Sequence, residues 1–282
     1  MLDRQNLILI SINCLLALAA YLPLSTGLMV ACFGTLMSIG AVVTAAAHAD
    51  FSIPFFAAIL LGGATAAVFG VFIALFCARL NGFLFAIATL SFGELARVIV
   101  INTDSLGGAT GYSNVSLINY NEYLLYLLVT LAICFVLFYF FEKSSFRRAL
   151  AVLRENEQLA TTLGIGALRH RVVVIGASGF LAGIAGGFYI HHAVVLKPEL
   201  YGFASSLLIL MYPISGGTRT FLCPVIGAVL LTFLPDFLRF QGAGPERLII
   251  YGAVLVLIMV LRPEGLLGMF RFPRGLSLKS HR

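Results

Sequence analysis

A chain of 282 residues that is 60% hydrophobic and only 11% charged, with a mean hydropathy of +1.02, is not an ordinary soluble protein. Soluble domains are about a quarter charged. The formal net charge of +6 does not indicate nucleic acid, because the excess sits in two blocks that abut apolar runs, where lipid headgroups and the cytoplasmic bias of Lys and Arg account for it.

In chain order, apolar runs fall at about 7–22, 25–47, 53–77, 83–101, 122–141, 172–191, 203–215, 221–238 and 247–261. Many approach the roughly 20 residues that cross hydrocarbon as helix. They predict an all-α polytopic integral membrane protein of about nine transmembrane helices, in the range of about eight to ten, forming one transmembrane domain over 1–282. The opening stretch, "MLDRQNLILISINCLLALAAYLPL", flows straight into more apolar sequence and reads as a first span rather than a cleavable signal. Only Leu22, Pro23 and Leu24 separate the first two runs, and 203–215 is short for a crossing. Either can be a broken or re-entrant element, which lipid tolerates where protein buries the freed backbone groups.

Within the fourth run Glu94 stands three residues before Arg97, on the same side of a helix. Two readings stay open: a pair that neutralises itself, or a translocation path in which Thr89, Ser91 and Glu94 offer polar groups to a solute. The connection over 102–121 carries no basic residue and is rich in Gly, Ser and Asn, as an irregular outward-facing loop would be.

Residues 143–171 hold Lys143, Arg147, Arg148, Arg154, Arg169 and Arg171, while Arg262 and the tail over 263–282 hold Arg271, Arg274, Lys279 and Arg282. An even number of spans between the two blocks places both on one side, predicted to be cytoplasmic. Phe146, Ala149, Leu150, Leu153, Ala160 and Leu163 recur at helical spacing, with Arg147, Arg148, Arg154, Glu155 and Gln158 mainly elsewhere around the helix. One amphipathic helix is expected here, capped by Ser144 or Ser145 and ended at Gly164 by a left-handed turn. It suits either anionic headgroups or the surface of another protein.

Downstream, Gly176, Gly179, Gly183, Gly186 and Gly187 form a smooth strip for close helix packing. Gly216 and Gly217 mark a turn before Pro224 opens the next run. The five cysteines (Cys14, Cys32, Cys77, Cys134, Cys223), without a CxxC or a histidine at ligand spacing, read as packing residues. There is no GxxxxGK[ST] loop, HExxH or GxSxG, and the neighbouring His191 and His192 point to different faces, so neither an enzyme nor a resident cofactor or metal is indicated. A transporter without its own energy source needs a partner that supplies it.

The stretch "RRALAVLRENEQLATTLGI", with "SGGTRTFLCPVIGAVLLTFLPDFLR", "IIYGAVLVLIMVLRPEGLLG" and "NGFLFAIATLSFGELARVI" followed by "LGGATG", resembles the permease subunit of branched-chain amino acid ABC importers, the LivM-like branch. These segments cover most of residues 79–270. The resemblance implies a bacterial inner-membrane permease that forms half of a translocation pore with a homologous LivH-like subunit or a second copy. It also implies two cytoplasmic ATPases that carry ATP and Mg, and a periplasmic solute-binding protein. It places an ATPase-coupling helix within 144–171, involving Arg147, Arg148, Arg154, Glu155, Asn156, Glu157 and Gly164. "QLATTLG" is similar to the EAA-and-Gly pattern of other importers, with Gln158 and Leu159 as imperfect matches.

The chain departs from the family where a polar run like "TGQLSLGHAAF" is expected and "TGLMVACFGTL" stands, placing Leu28, Val30 and Phe33 at polar positions, and where Leu208 replaces a glutamate. These changes predict a more apolar pore lining. Branched-chain or related amino acids are the expected solutes, with urea or a short-chain amide as the alternative. An ion-coupled carrier working through Glu94 and a non-transporting scaffold are the alternatives of other classes.

Overall fold

The computed structural model describes residues 4–77, 80, 82–103, 108–115 and 119–240. The apolar run at 247–261 and the basic tail lie outside the described residues. Ten α-helices follow in order: α1 (Arg4–Ser25), α2 (Phe33–Ala49), α3 (Phe55–Phe76), α4 (Gly82–Ile101), α5 (Tyr120–Lys143), α6 (Ser145–Glu155), α7 (Glu157–Thr162), α8 (Ala167–Ala193), α9 (Phe203–Gly216) and α10 (Leu222–Phe240). Among the described residues five helices (α1, α3, α4, α5, α8) are long and apolar enough to cross a membrane, and α2, α9 and the described part of α10 are shorter apolar helices. The chain is thus an all-helical, multi-pass membrane protein.

The run expected over 25–47 is not one helix. Helix α1 continues through Pro23 to Ser25 and stops because the amides of Thr26 and Leu28 turn back onto the Pro23 carbonyl at 3.0 and 3.1 Å. Gly27 takes the left-handed backbone that this turn needs, at φ 79°. Residues 26–32 then re-enter the bundle without helix, and α2 starts only at Phe33. Leu28, Val30 and Phe33, expected in a pore lining, are buried in the protein core, because this non-helical stretch is enclosed by its neighbours. Leu208 instead lies exposed on α9.

A second re-entry follows α8. The chain turns at Val194, pairs Leu196 with Tyr112 through two backbone bonds of 3.0 and 2.9 Å, and forms a short 3-10 turn at Pro198–Tyr201 before α9. The short run at 203–215 is therefore a half-length helix that begins inside the bundle.

The packing centre is α8, against α3, α2 and α1. Its glycine strip works as expected: a Cβ on Gly186 would lie 1.8 Å from the Met37 carbonyl oxygen, and one on Gly40 would lie 2.3 Å from the Gly183 Cα. Only residues without side chains let the backbones approach this closely. In consequence 78% of the apolar window of α8 is buried, as in α1, against 22% in α4 and α5. Asn13 on α1 donates to Thr232 on α10 at 2.9 Å, adding a polar tie across the bundle.

The bundle has two distinct ends. At one lie the close of α1, the last turn of α5, α6, α7 and the α9–α10 turn, where Arg154 covers Gly27 and donates to Thr218. At the other lie the loops at 50–54 and 108–115 and the 194–197 segment, joined by Asn114 to Asp50 at 2.8 Å. Lys143 through Arg171 cluster at the first, basic end.

Candidate functional site

Two shorter helices, α2 of 17 residues and α9 of 14, begin inside the bundle, so their first amides need partners that lipid cannot supply. They supply each other in part. The Gly34 amide donates to Ser206 Oγ at 2.9 Å, and Thr35 Oγ1 donates to the Tyr201 carbonyl at 2.9 Å. The approach is close: a Cβ at Gly34 would come within 2.4 Å of the Leu200 carbonyl oxygen.

Helix α4 braces both breaks. Thr89, fully buried, accepts the amide of Ala31 in the first re-entrant segment at 3.0 Å while donating to Ala86 in its own helix. One turn on, Glu94 Oε1 accepts the amide of Phe203, the first residue of α9, at 2.7 Å, and its Oε2 accepts from Arg97 Nη1 at 3.0 Å. A carboxylate at a helix start meets both an unpaired amide and the positive end of the helix dipole. Ser91 does not join them: it is exposed and bonds to Ile87 of its own helix. Of the three residues expected along a polar path, the structure thus brings Thr89 and Glu94 to the face that holds the helix breaks, and turns Ser91 away.

At the basic end the expected single helix over 144–163 is two. Ser144 caps α6 as expected, its Oγ accepting the Arg147 amide at 3.2 Å. The break is at Asn156, whose Oδ1 accepts the amides of Gln158 and Leu159 at 2.9 and 3.1 Å and starts α7 in a new direction. Gly164 ends α7 in the left-handed turn at φ 76°, with the Ile165 amide reaching back to the Ala160 carbonyl at 2.9 Å. The change of direction splits the expected apolar face. Leu150 and Ala160 are buried, but Leu163 is 64% exposed and Leu159 54%.

Several charged residues of this segment serve the chain itself. Arg147 lies beside Tyr21 and Glu142, Arg154 joins Gly27 to Thr218, and Glu157 pairs with Arg171 at 2.8 Å. Arg148 and Glu155 are exposed. Sequence reasoning missed Glu142, whose Oε1 accepts the amide of Phe221 at 2.6 Å and the Tyr21 hydroxyl at 3.4 Å. An acid closing an apolar run was the signal available. The α9–α10 turn is therefore tied to α6 by Arg154 and to the end of α5 by Glu142.

The profile described as branched-chain amino acid transport system, permease component, matches residues 5–259. The chain belongs to that family. It is 28% identical over 287 aligned positions to the high-affinity branched-chain amino acid transport system permease protein LivM of Salmonella typhimurium, covering 90% of this chain and 67% of that protein. It is 28% identical over 278 positions to the protein of the same description from Escherichia coli, covering 87% and 65%. The chain thus spans about two thirds of the length of these relatives. No solved structure matches it. Within this permease family the bracing of the two re-entrant segments by α4, and the projecting α6–α7 pair, are the features of this chain on which a functional reading rests.

Proposed function

We propose that the chain is the transmembrane permease subunit of a bacterial ABC importer of the inner membrane, forming half of a translocation pore for branched-chain or related amino acids. Membership of the permease family over residues 5–259 is the observation that carries this reading. The basic end faces the cytoplasm, following the distribution of Lys and Arg. A homologous permease or a second copy completes the pore, a periplasmic binding protein delivers solute, and two ATPase subunits bind the ATP and Mg that drive the cycle.

The α6–α7 pair is the docking surface for an ATPase. Leu159 and Leu163 offer an apolar knob, with Gln158 and the exposed charges of Arg148 and Glu155 on the same projection. Arg154, Asn156, Glu157 and Gly164 hold that knob in place, and Arg147 anchors its first turn. A push on α7 reaches α6, then the α9–α10 turn through Arg154 with Thr218 and Glu142 with Phe221, then along α9 to Glu94 and α4. Rigid helices joined at few points transmit such a motion as rocking. Glu94, already engaged by Arg97 and the Phe203 amide, suits this structural part better than that of an ion relay.

The test is uptake of labelled leucine, isoleucine and valine by cells expressing the full transporter. The reading predicts uptake that stops on ATP depletion and persists when an uncoupler collapses the proton gradient. Uptake with the opposite pattern contradicts it in favour of an ion-coupled carrier, and uptake of urea but not amino acids replaces the solute.

A further inference from the structure

The end of the bundle opposite the basic segment gathers unfavourable backbone and side-chain states. Among the described residues, two that are not glycine have positive φ, Ser52 at 51° and Val194 at 65°, and both lie at this end. For a β-branched residue the left-handed region is a genuine outlier. Val194 takes it because it stops α8 and turns the chain back: its amide bonds to the Ile190 carbonyl at 2.8 Å, while Leu196, two residues on, is paired in both directions with Tyr112. In the right-handed conformation Val194 would continue α8, and Leu196 would leave Tyr112. Strain of this kind persists where the surroundings over-determine it, and it gathers at switch regions.

A further unfavourable group stands one turn before Val194. His191 Nδ1 donates to the Gly187 carbonyl of its own helix at 2.8 Å, and His48 Nδ1 donates to the Ile53 carbonyl at 2.9 Å. A carbonyl only accepts, so each neutral ring carries its hydrogen on Nδ1 and a lone pair on Nε2. The Nε2 of His191 is buried and has no hydrogen-bond partner. An acceptor left unsatisfied in this way is costly. Packing holds it there, because rings from three elements meet at this point. His191 of α8 lies 4.8 Å from Phe55 at the start of α3, His48 at the close of α2 lies 5.9 Å from Phe55, and the two imidazoles are 5.6 Å apart.

We propose that this end of the protein is a loaded latch, closed in this structure. The cluster of His48, Phe55 and His191 holds the last turn of α8 against the corner at 50–54, and Val194 is the hinge. Opening relieves the left-handed valine and gives His191 Nε2 access to water, which offsets the loss of ring packing and of the pair between Leu196 and Tyr112. Hinges of this kind are a few residues at the end of an element that absorb the backbone change. The motion has a route inward. The segment over 194–202 leads to the Tyr201 carbonyl that accepts from Thr35, and then to the Phe203 amide held by Glu94, so it reaches both helix breaks. The latch rests on the importer reading only where uptake is measured.

The test is hydrogen exchange of the full-length chain in nanodiscs, read by mass spectrometry over peptides spanning 188–197 and 47–54. Val194 is 41% exposed, so Val194→Gly removes the cost of the left-handed backbone without disturbing the core. It is expected to raise the protection of the Val194 and Leu196 amides by about 5- to 30-fold. The Ile53 amide, bonded to Ala47 across the ring cluster, should gain protection with them. Val194→Asn, which also tolerates that backbone, should act in the same direction, and His48→Ala, which removes one ring of the latch, in the opposite one. In cells carrying the whole transporter Val194→Gly should slow uptake while making the chain more stable. Unchanged or lower protection in both Val194 variants overturns the latch, as does a gain confined to the end of α8 with Ile53 unchanged, or uptake by Val194→Gly as fast as by the unaltered chain. Absence of amino-acid uptake by the unaltered chain contradicts the importer reading instead, and the exchange results still decide the latch.

Discussion

Two glutamates perform the same task in this protein under different conditions. Glu94 accepts the amide that opens α9, in the middle of the bundle, and Glu142 accepts the amide just before α10, at the basic end. Both have an arginine close by, Arg97 bonded to Glu94 and Arg147 beside Glu142. Glu94, however, is about a third exposed and shares its charge in a direct ion pair, whereas Glu142 is wedged among Tyr21 of α1, Arg147 of α6 and Phe221 of the α9–α10 turn. The difference shows that a carboxylate in an apolar bundle is worth most where it joins elements that otherwise have no polar contact. Helix α9 is held at its start by Glu94, and the turn that follows it by Glu142, which makes it the natural lever between the basic end and the re-entrant segments.

The comparison breaks most sharply at Glu142. Replacing it with alanine leaves the Phe221 amide without its acceptor and Arg147 without its counter-charge, and is expected to cost about 2–3 kcal/mol, measured as thermal unfolding of the purified chain in detergent. Glu94→Ala is expected to cost less, about 1–2 kcal/mol in the same assay, because its pair with Arg97 is about a third exposed. Glu94→Gln sharpens the point: its amide oxygen still accepts from Phe203, so the loss should fall to about 0.5–1 kcal/mol, and a loss as large as for alanine would mean that charge rather than hydrogen bonding holds α9. Arg154→Ala removes one bond to Thr218 at an exposed site and should alter stability by only about 0.5 kcal/mol. Its effect should appear instead as weaker coupling, read as uptake per ATP hydrolysed.

What could be read in the sequence followed from local chemistry. The Ser144 cap, the left-handed turn at Gly164, the glycine strip of α8 and the Glu94–Arg97 pair all depend on residues a few positions apart, and each stands in the structure. That an element near the first two runs is broken was legible in their closeness around Pro23, but not that the non-helical stretch falls at 26–32, because "GLMVAC" is as apolar as the helices around it. Its backbone is made tolerable by Thr89, a partner 58 residues away. The turn at Asn156 was legible in principle, since an asparagine inside a helical run can cap a new helix as easily as it can sit in an old one. Missing it carried Leu163 to the wrong face. Glu142 lay hidden because its partners, Tyr21 and Phe221, are distant in the chain.

The account turns on α7 pressing against a partner at the cytoplasmic face. Leu163→Cys in the otherwise unaltered chain tests this directly, in cells that carry the whole transporter. The expected outcome is no labelling of intact cells by a membrane-impermeant maleimide, ready labelling in inverted vesicles, and a crosslink from position 163 to an ATPase subunit. Labelling from outside intact cells, or sustained solute uptake with no protein within crosslinking reach of that position, would contradict it.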